Sequence, residues 1–335
     1  MTVTVKPVSR LKRFLSRTAW LVLWLFGIII WLWYIFRWWP GDQLLVIRLI
    51  SYMVPWFLVI LLPGTIAAAF ARRKWLALTL ATPMLFLFLT YIPLFLPGSR
   101  TVLASGTPLK VMSYNLYYQN DEAEAIVEVV QQEQPDILLL QELKPKLAGP
   151  LIDQLRQLYP EGEFYFEWVD ENNYPRPFSQ AVVSRYPLTP LGQSYEAGRL
   201  QKVRVETPDG PVTLFNVHPP PTIPQEHIQQ LVREIETVDG PLIVGGDFNI
   251  TDQTNSYRLI DQYLDNAHWE AGWGFAFTFP SRSHINGAPI PLRPLYRIDH
   301  IFYNDHFSAQ SARTVTEAST GSDHLPIVAQ LIRLR

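Results

Sequence analysis

The sequence predicts an α/β domain of two packed sheets with helices outside, preceded by three helices that span a membrane. The first hundred residues contain three long apolar runs. The charge changes sign after them, because residues 1–99 carry ten basic and one acidic side chain of the 28 basic and 30 acidic in the chain. From Leu109 onward, short apolar segments alternate with polar helical ones and hairpin turns, which favours two mixed sheets over a purely parallel fold. We therefore expect a membrane anchor over 1–99 and a second domain over 100–335.

Composition excludes several classes of protein. A chain that is 48% hydrophobic and 13% aromatic can bury a core, so it is not disordered. It has no cysteine, which rules out disulfides, thiolate metal sites and cysteine nucleophiles.

The first apolar run, Ala19–Phe36, has eighteen residues and no charge. As a helix it is about 27 Å long, close to the thickness of a hydrocarbon core. A basic leader precedes it, and a cluster of tryptophans marks its far end, as aromatic belts do at a membrane interface. A cleaved signal peptide is the alternative. It is disfavoured because the run is long and ends in Trp38-Trp39-Pro40 rather than in a small-residue cleavage site.

Two more apolar runs, Leu44–Phe70 and Trp75–Leu96, complete the predicted anchor. A buried soluble core is the alternative, and three consecutive runs disfavour it. The leader has five basic residues and Arg72–Lys74 adds three more, whereas the loop between the first two runs has only Arg37. The positive-inside rule then places the N-terminus in the cytoplasm and the second domain outside, most simply at a plasma membrane.

The second domain, joined by a linker over 97–109, shows a mixed pattern of strands and helices. Thr207–Pro211 has the residues of a tight turn and predicts a hairpin. The predicted strands are Lys110–Tyr114, Ile137–Gln141, Ala181–Ser184, Val203–Glu206, Val212–Val217, Leu242–Gly246, Ile298–Tyr303 and Ile327–Ile332. The predicted helices are Glu122–Gln132, Leu147–Leu158, Gln225–Val238 and Ser256–Leu264.

Polar residues stand at the ends of these strands, where scaffolds of this kind place their chemistry. Taken singly, each has an ordinary interpretation as a turn residue, a solvated strand end or a structural histidine. Six such features in a fixed order favour a functional site instead. They are Asn115, Glu142, His218, Asp247 with Asn249, Asp299 with His300, and Asp323 with His324.

The order of the motifs resembles the endonuclease/exonuclease/phosphatase superfamily over about residues 109–334. The resemblance implies a four-layer α/β sandwich and metal-dependent hydrolysis of a phosphoester, with water attacking in line. The motifs that carry it are Ser113-Tyr114-Asn115, Gln141-Glu142, Asn216-Val217-His218, Gly246-Asp247-Phe248-Asn249, Ile298-Asp299-His300-Ile301 and Gly321-Ser322-Asp323-His324-Leu325-Pro326.

The resemblance also implies roles for these residues. Glu142 would be the principal metal ligand, with Asn115 and Asp323. Asp247 would orient or deprotonate the water, Asn249 would hold the water or the phosphate, and His218 would be a donor to the phosphate. Asp299 would pair with His324, which would contact the phosphate or transfer a proton. An oxygen-rich set without cysteine suits Mg²⁺ or Mn²⁺ better than zinc.

Two positions depart from the family pattern. Pro219–Pro221 follows His218 where an apolar residue is frequent, and Gln180 stands where a glycine is frequent. Neither removes a metal ligand, but the first leaves the role of His218 open.

The substrate class stays open between nucleic acid and a phospholipid headgroup. The excess of acidic residues in 100–335 argues against strong nucleic-acid binding. The short linker, at most roughly 45 Å when extended, keeps the second domain near the lipid bilayer. Trp269–Pro280 is predicted as a substrate-side or interfacial loop, with an apolar loop packed on the sheet as the alternative. The pattern also admits a phosphomonoesterase, a non-catalytic phosphate-binding protein and, least favoured, a transporter.

Overall fold

The computed structural model describes residues 10–96, 106–167, 180–194, 199–222, 224–281, 284–285, 288–289, 293–317 and 321–334. Most of the predicted linker and the first part of the basic leader lie outside these ranges. The chain divides into two compact units, Met1–Ile92 and Pro93–Arg335.

The first unit is helical. Its helices are α1 (Arg10–Phe36), α2 (Leu45–Tyr52), α3 (Val54–Phe70) and α4 (Lys74–Tyr91). Two segments, Lys12–Phe36 and Lys74–Phe95, are long and apolar enough to cross a membrane. Helices α2 and α3 meet at an angle of 69°, so they are either one broken span or a re-entrant loop. Three spans therefore stay a prediction.

Small and polar residues hold these helices together. A Cβ on Gly64 would lie 3.0 Å from a methyl group of Leu23 and 3.3 Å from one of Leu80, so glycine allows a close approach there. The indole N–H of Trp33 donates to the hydroxyl of Ser51 at 2.9 Å. This pairing satisfies two buried polar groups of the first unit.

The second unit contains all the strands of the described chain. Its helices are α5 (Ala123–Glu133), α6 (Pro145–Leu158), α7 (Pro224–Glu236), α8 (Asn255–Asp261) and α9 (Ala267–Ala271). Its strands are β1 (Leu109–Asn115), β2 (Ile137–Gln141), β3 (Glu163–Glu167), β4 (Gln180–Ser184), β5 (Leu188–Ser194), β6 (Leu200–Thr207), β7 (Gly210–Val217), β8 (Leu242–Asp247), β9 (Asp265–Asn266), β10 (His284–Ile285), β11 (Ala288–Pro289), β12 (Asp299–Tyr303), β13 (Phe307–Thr314) and β14 (Ile327–Arg333).

The strands form two six-stranded sheets and a small hairpin of β10 and β11. The strand order is β13-β14-β1-β2-β4-β3 in the first sheet and β5-β6-β7-β8-β12-β9 in the second. Each sheet has one parallel pair at its centre, β1 with β2 and β7 with β8, and its other pairs are antiparallel. The two sheets therefore have the same arrangement of strand directions.

Three apolar clusters separate four layers. One lies between the sheets and includes Val111, Leu139, Leu214 and Ile243. A second packs α5 and α6 on the outer face of the first sheet, and a third packs α7 and α8 on the second sheet. Burial of both faces explains why the central strands are continuous apolar runs.

The predicted α/β sandwich with two mixed sheets is confirmed. The eight predicted strands all exist, although β12 begins at Asp299 rather than Ile298. The turn at Thr207–Gly210 joins β6 and β7 as predicted. The predicted helix Ser256–Leu264 ends earlier, at Asp261, because the amides of Tyr263 and Leu264 both turn back to one carbonyl.

The prediction of a loop over Trp269–Pro280 was wrong at its start. Trp269 lies in α9, whose first turn is capped by the side chain of Asn266. The irregular segment begins only at Gly272, where a Cβ would collide with the ring of His268.

Candidate active site

The predicted site residues come together at one edge of the sandwich because of the two parallel pairs. Asn115 ends β1 and Glu142 directly follows β2. His218 directly follows β7 and Asp247 ends β8. Carboxyl ends of parallel neighbours lie at the same edge of a sheet, and a hydrogen bond of 2.9 Å from Asn115 Nδ2 to Asp247 Oδ2 joins the two sheets there.

The antiparallel strands bring in the remaining residues from the opposite direction. Asp299 begins β12 and lies opposite Asp247 in the strand pairing. Asp323 and His324 precede β14, which pairs with β1. The Ser322 hydroxyl ties this segment down, since it donates to the carbonyl of Asn115 at 2.7 Å and accepts from the amide of His324 at 3.0 Å.

Unusual backbone conformations accompany the site. Glu142 has φ of 54° and Asn249 has φ of 52°, in the left-handed region that side chains rarely adopt. Gly246 has φ of 150°, and a Cβ there would lie 2.0 Å from the carbonyl oxygen of Val217. Only glycine lets β8 pass so close to the end of β7, which explains the glycine directly before Asp247.

Asp247 is the centre of the hydrogen-bond network. Its Oδ1 accepts from the amide of Asn249 at 2.9 Å, and its Oδ2 accepts from Asn115. Asn249 in turn donates its Nδ2 to the carbonyl of Pro219 at 2.9 Å. Burial raises the pKa of Asp247 to about 7, assisted by the charge of Asp299 and opposed by His324. The group is therefore poised to exchange a proton near neutral pH.

His324 is held as a cation between carboxylates. Its Nδ1 donates to Asp299 Oδ2 at 2.9 Å, and its Nε2 lies 3.7 Å from Asp247 Oδ2. Burial opposes the charge, but the carboxylates of Asp299 and Asp247 outweigh burial and raise the pKa of His324 well above its usual value. The pairing with Asp299 fixes the ring so that Nε2 faces the site.

His218 has the opposite electrostatic character. Burial, followed by the charges of Arg199 and His324, lowers its pKa well below the usual value. Its Nε2 lies 3.5 Å from Glu142 Oε1 and 3.6 Å from Asp247 Oδ2. The site therefore pairs one cationic imidazole with one neutral imidazole.

The donor set fits a hard divalent cation. Glu142 Oε2 accepts from the amide of Tyr118 at 2.9 Å, which fixes its carboxylate. Burial raises the pKa of Asp323 to about 6, His324 lowers it, and the negative charge of Glu142 raises it further, so a cation between these two carboxylates would relieve their repulsion. The Asn115 oxygen accepts from the amide of Tyr117 and keeps a second lone pair for a ligand.

Within the described part of the chain, one group of acidic and histidine side chains is compact enough to hold an ion. Asp247, Asp299 and His324 bring their ligand atoms within 4.8 Å of one another. This group differs from the predicted set of Glu142, Asn115 and Asp323. His324 already donates a hydrogen bond to Asp299 and lies 3.7 Å from Asp247, so the group is better explained as an imidazole held between two carboxylates.

A buried amide network lies beneath the site and links the two sheets. Asn216 Oδ1 accepts from Gln141 Nε2 at 2.8 Å. Asn216 Nδ2 lies within 3.2 Å of the carbonyls of Leu140 and Ala181 and of the side-chain oxygen of Gln201. Gln180, which departs from the family pattern, donates to the carbonyl of Asn216 at 3.0 Å and so joins the same network.

Two aromatic residues are neighbours of the site: Phe279, which lies in the segment Trp269–Pro280 predicted as a substrate-side or interfacial loop, and Tyr296, which sequence reasoning missed. The ring of Phe279 lies 4.8 Å from that of His324, and Tyr296 packs against Phe279 at 5.5 Å. Burial, with the charges of Asp247 and Asp323, raises the pKa of Tyr296 to about 12. Tyr296 directly precedes Arg297-Ile298-Asp299, so its proximity to that motif was the available signal.

Comparisons with known proteins agree with this geometry. A family model described as the endonuclease/exonuclease/phosphatase family matches residues 112–324. A search of curated proteins found no match.

Solved structures of low sequence identity share the fold. An endonuclease/exonuclease/phosphatase protein from Bacteroides vulgatus is 18% identical, with a TM-score of 0.53 over 68% of this chain and 99% of the other. The D. rerio protein TDP2, in complex with a single-stranded DNA product, is 17% identical, with a TM-score of 0.53 over 67% and 99%. A mannosyl-6-phosphatase from Bacteroides thetaiotaomicron is 18% identical, with a TM-score of 0.50 over 67% and 99%.

Proposed function

This chain belongs to the endonuclease/exonuclease/phosphatase family of phosphoester hydrolases, and on that premise we propose that it is a membrane-anchored, divalent-metal-dependent phosphodiesterase. The observation that carries the proposal is the pairing of Asp247 with His324. A carboxyl group with a pKa of about 7 lies 3.7 Å from a cationic imidazole, at the edge where Glu142 and Asp323 converge. A proton acceptor beside an anion-binding donor is what hydrolysis of a phosphate ester by water requires.

In the proposed reaction, Asp247 accepts the proton of the attacking water at Oδ2. Asn115 and Asn249 hold that carboxylate in place through the hydrogen bonds described above. His324 donates from Nε2 to a non-bridging phosphate oxygen, while Asp299 keeps its ring oriented and charged. The ester P–O bond on the far side of phosphorus breaks, and the departing alkoxide takes a proton from solvent. His218 remains a candidate neutral donor to the phosphate.

The residues proposed to hold a Mg²⁺ or Mn²⁺ ion are Glu142, Asn115 and Asp323. Such an ion supplies charge neutralisation for the phosphate in the transition state. The protein's part is to present two carboxylates and one amide oxygen from β1, β2 and the segment before β14.

Charge pairing argues against a broad nucleic-acid groove. Three basic residues of the second unit have acidic partners. Arg185 lies 3.7 Å from Asp136, Lys202 lies 3.0 Å from Glu234 and Arg297 lies 3.6 Å from Asp252. Binding to nucleic acid depends mainly on basic side chains that neutralise phosphates. This favours a phospholipid headgroup over DNA or RNA as the substrate.

The decisive experiment is hydrolysis of a phosphodiester panel by the detergent-solubilised full chain. The panel contains plasmid DNA, RNA, sphingomyelin, phosphatidylinositol phosphates and bis(4-nitrophenyl) phosphate, each with Mg²⁺, Mn²⁺ or EDTA. We expect EDTA-sensitive turnover that Asp247→Asn lowers by orders of magnitude and that the exposed control Asp239→Asn retains. Equal turnover in the wild type and Asp247→Asn would contradict the site.

We also propose an anchor over 1–99 and a catalytic domain over 100–335, with the N-terminus in the cytoplasm and the catalytic domain outside the plasma membrane. The three apolar segments and the distribution of Lys and Arg support this topology. Protease added to intact cells should cleave the catalytic domain. Protection of that domain until the cells are lysed would contradict this topology and place the catalytic domain in the cytoplasm.

A further inference from the structure

A row of aromatic side chains in the second unit ends at the candidate active site. We call Phe95, Trp273, Phe275, Phe277 and Phe279 the aromatic strip. Four of them come from one stretch, Trp-Gly-Phe-Ala-Phe-Thr-Phe. Residues 273–281 contain no charged side chain, so the strip is apolar along its length.

The first end of the aromatic strip is built around Phe95. Its ring makes edge contacts with Trp273 at 6.0 Å and with Phe275 at 5.3 Å. The amide of Gly274 donates to the carbonyl of Leu94 at 2.7 Å. Phe95 is also the last residue of the apolar segment Lys74–Phe95. The first residue of the strip is therefore the residue at which a candidate membrane span ends.

The middle of the aromatic strip continues toward the site. The rings of Phe275 and Phe277 are stacked at 5.3 Å with 6° between their planes. Phe279 follows two residues later and is half-buried, whereas Thr278 between them is fully buried. Phe279 then contacts the ring of His324 at 4.8 Å.

Backbone hydrogen bonds connect the aromatic strip to the segment that carries His324. The amide of Leu325 donates to the carbonyl of Thr278, and the amide of Ser281 donates to the carbonyl of Asp323, both at 2.8 Å. The amide of Phe279 donates to the carbonyl of Tyr296 at 3.0 Å. The position of Phe279 and that of His324 are therefore set together.

Two exposed aromatic side chains at the first end of the strip, followed by three half-buried ones, indicate a binding surface rather than a core. Trp273 is 65% exposed and Phe95 is 41% exposed. A row of this kind, ending at the imidazole of His324 in the candidate active site, suits a ligand with a hydrocarbon chain at one end and a phosphate at the other.

Resting on the proposed phosphodiesterase function, we propose that the substrate is a phosphoester of a bilayer lipid whose hydrocarbon chain lies along the aromatic strip while its phosphate meets His324. Nucleic-acid bases also stack on aromatic rings, but such sites combine the rings with basic side chains along the backbone. Residues 273–281 have no basic side chain. In addition, the rings of Phe275 and Phe277 already stack on each other.

The test compares two diesters that release the same leaving group. Methyl 4-nitrophenyl phosphate has no chain, and hexadecyl 4-nitrophenyl phosphate has a long one. The full chain is reconstituted in phosphatidylcholine vesicles, which also carry the hexadecyl diester. The variants are Trp273→Ser, the double variant Trp273→Ser with Phe275→Ser, and the control Leu191→Ser, which removes an exposed apolar side chain on the edge strand β5.

We expect the strip variants to lower kcat/KM for the hexadecyl diester by about tenfold or more, since hydrocarbon contacts are worth that much in binding pockets. Turnover of the methyl diester should stay unchanged, as should both activities of Leu191→Ser. Equal losses on the two diesters, or no loss on either, would overturn the role of the strip and leave the phosphodiesterase intact. No turnover of either diester by the wild type would overturn the proposed function itself.

A third diester distinguishes binding of a nucleic acid from binding of a lipid. Thymidine 5′-(4-nitrophenyl) phosphate replaces the alkyl chain by a nucleoside. A loss confined to this substrate in the strip variants would assign the strip to base stacking and contradict the lipid proposal.

Discussion

Asp299 and His324 are hydrogen-bonded at 2.9 Å although they are attached to different sheets. Asp299 begins β12 in the second sheet, whereas His324 precedes β14 in the first. The charge and orientation of the candidate phosphate donor therefore depend on the packing of one sheet on the other.

Asp299→Asn should lower kcat/KM by about a hundredfold to ten-thousandfold while the protein stays folded. The amide removes the negative charge that raises the pKa of His324, so the imidazole loses its proton at a lower pH. The alkaline limb of the pH–rate profile should consequently move to lower pH. Steady-state kinetics across the pH range measure both effects.

Asp305→Asn is the matched control, since Asp305 is exposed just beyond the same strand. An Asp299→Asn profile that keeps its alkaline limb in place would show that the pair does not set the protonation of His324 during turnover.

Glu142→Gln should abolish stabilisation by divalent cations. A cation that binds only the folded state adds about 2.7 kcal/mol at a hundredfold excess over its dissociation constant. We expect Mn²⁺ to raise the unfolding temperature of the wild type and of the exposed control Glu128→Gln, but not that of Glu142→Gln. Differential scanning fluorimetry with an Mn²⁺ titration measures this without any substrate. An equal rise in all three proteins would remove Glu142 from the metal site.

The sequence identified the central strands but missed the four at the sheet edges. The predicted strands β1, β2, β7 and β8 are buried on both faces and read as apolar runs. In contrast, β3, β5, β9 and β13 were missed, and each lies at one end of the strand order of its sheet. Edge strands of this kind alternate weakly or carry Pro and Gly, as Leu188–Ser194 does, because one side faces solvent. Local sequence carries little signal for such strands.

The candidate site also contains features that the sequence predicted and features that it did not. Motif order indicated which residues belong together, because each lies next to a strand end that the pattern reveals. The contact of Phe279 with His324 could not be predicted, since it depends on the path of an irregular segment. The role of Gln180 was also hidden, because its partner Asn216 lies on another sheet.

Asn216→Ala should destabilise the joint between the two sheets by about 2–4 kcal/mol. The substitution removes three buried hydrogen bonds. The backbone carbonyls of Leu140 and Ala181 and the side-chain amide of Gln141 each lose their bond to the Asn216 side chain. Hydrogen–deuterium exchange of the full chain should show faster exchange in β2 and β7 than in the wild type. Gln193→Ala, at an exposed position on β5, should leave exchange in both strands unchanged. Unaltered protection in Asn216→Ala would show that the network contributes no stability.

The catalytic domain should lose stability on acidification because it buries two neutral histidines, His268 and His300, in addition to His218 at the candidate site. The His268 ring donates from Nε2 to the carbonyl of Gly274 at 2.8 Å. The His300 ring donates from Nε2 to the carbonyl of Ile250 at 3.0 Å and accepts at Nδ1 from Asn266. A second ring proton on His300 would displace the bond that Nδ1 accepts from Asn266. Burial and the charge of Arg297 lower the pKa of His268 to about 3 and that of His300 well below its usual value of 6.5.

The direction of this pH effect follows from the number of protons that the folded and the unfolded protein bind. Below pH 6.5 the unfolded chain protonates both rings while the folded protein keeps them neutral, so stability is complete above pH 6.5 and falls as the pH approaches 3. Each histidine should contribute about 1.4 kcal/mol per pH unit inside that window. Unfolding temperatures measured from pH 7.5 to 4.5 should therefore fall less steeply for His268→Asn than for the wild type, whereas His306→Asn should keep the wild-type slope. Parallel slopes for all three proteins would mean that His268 is already protonated in the folded state.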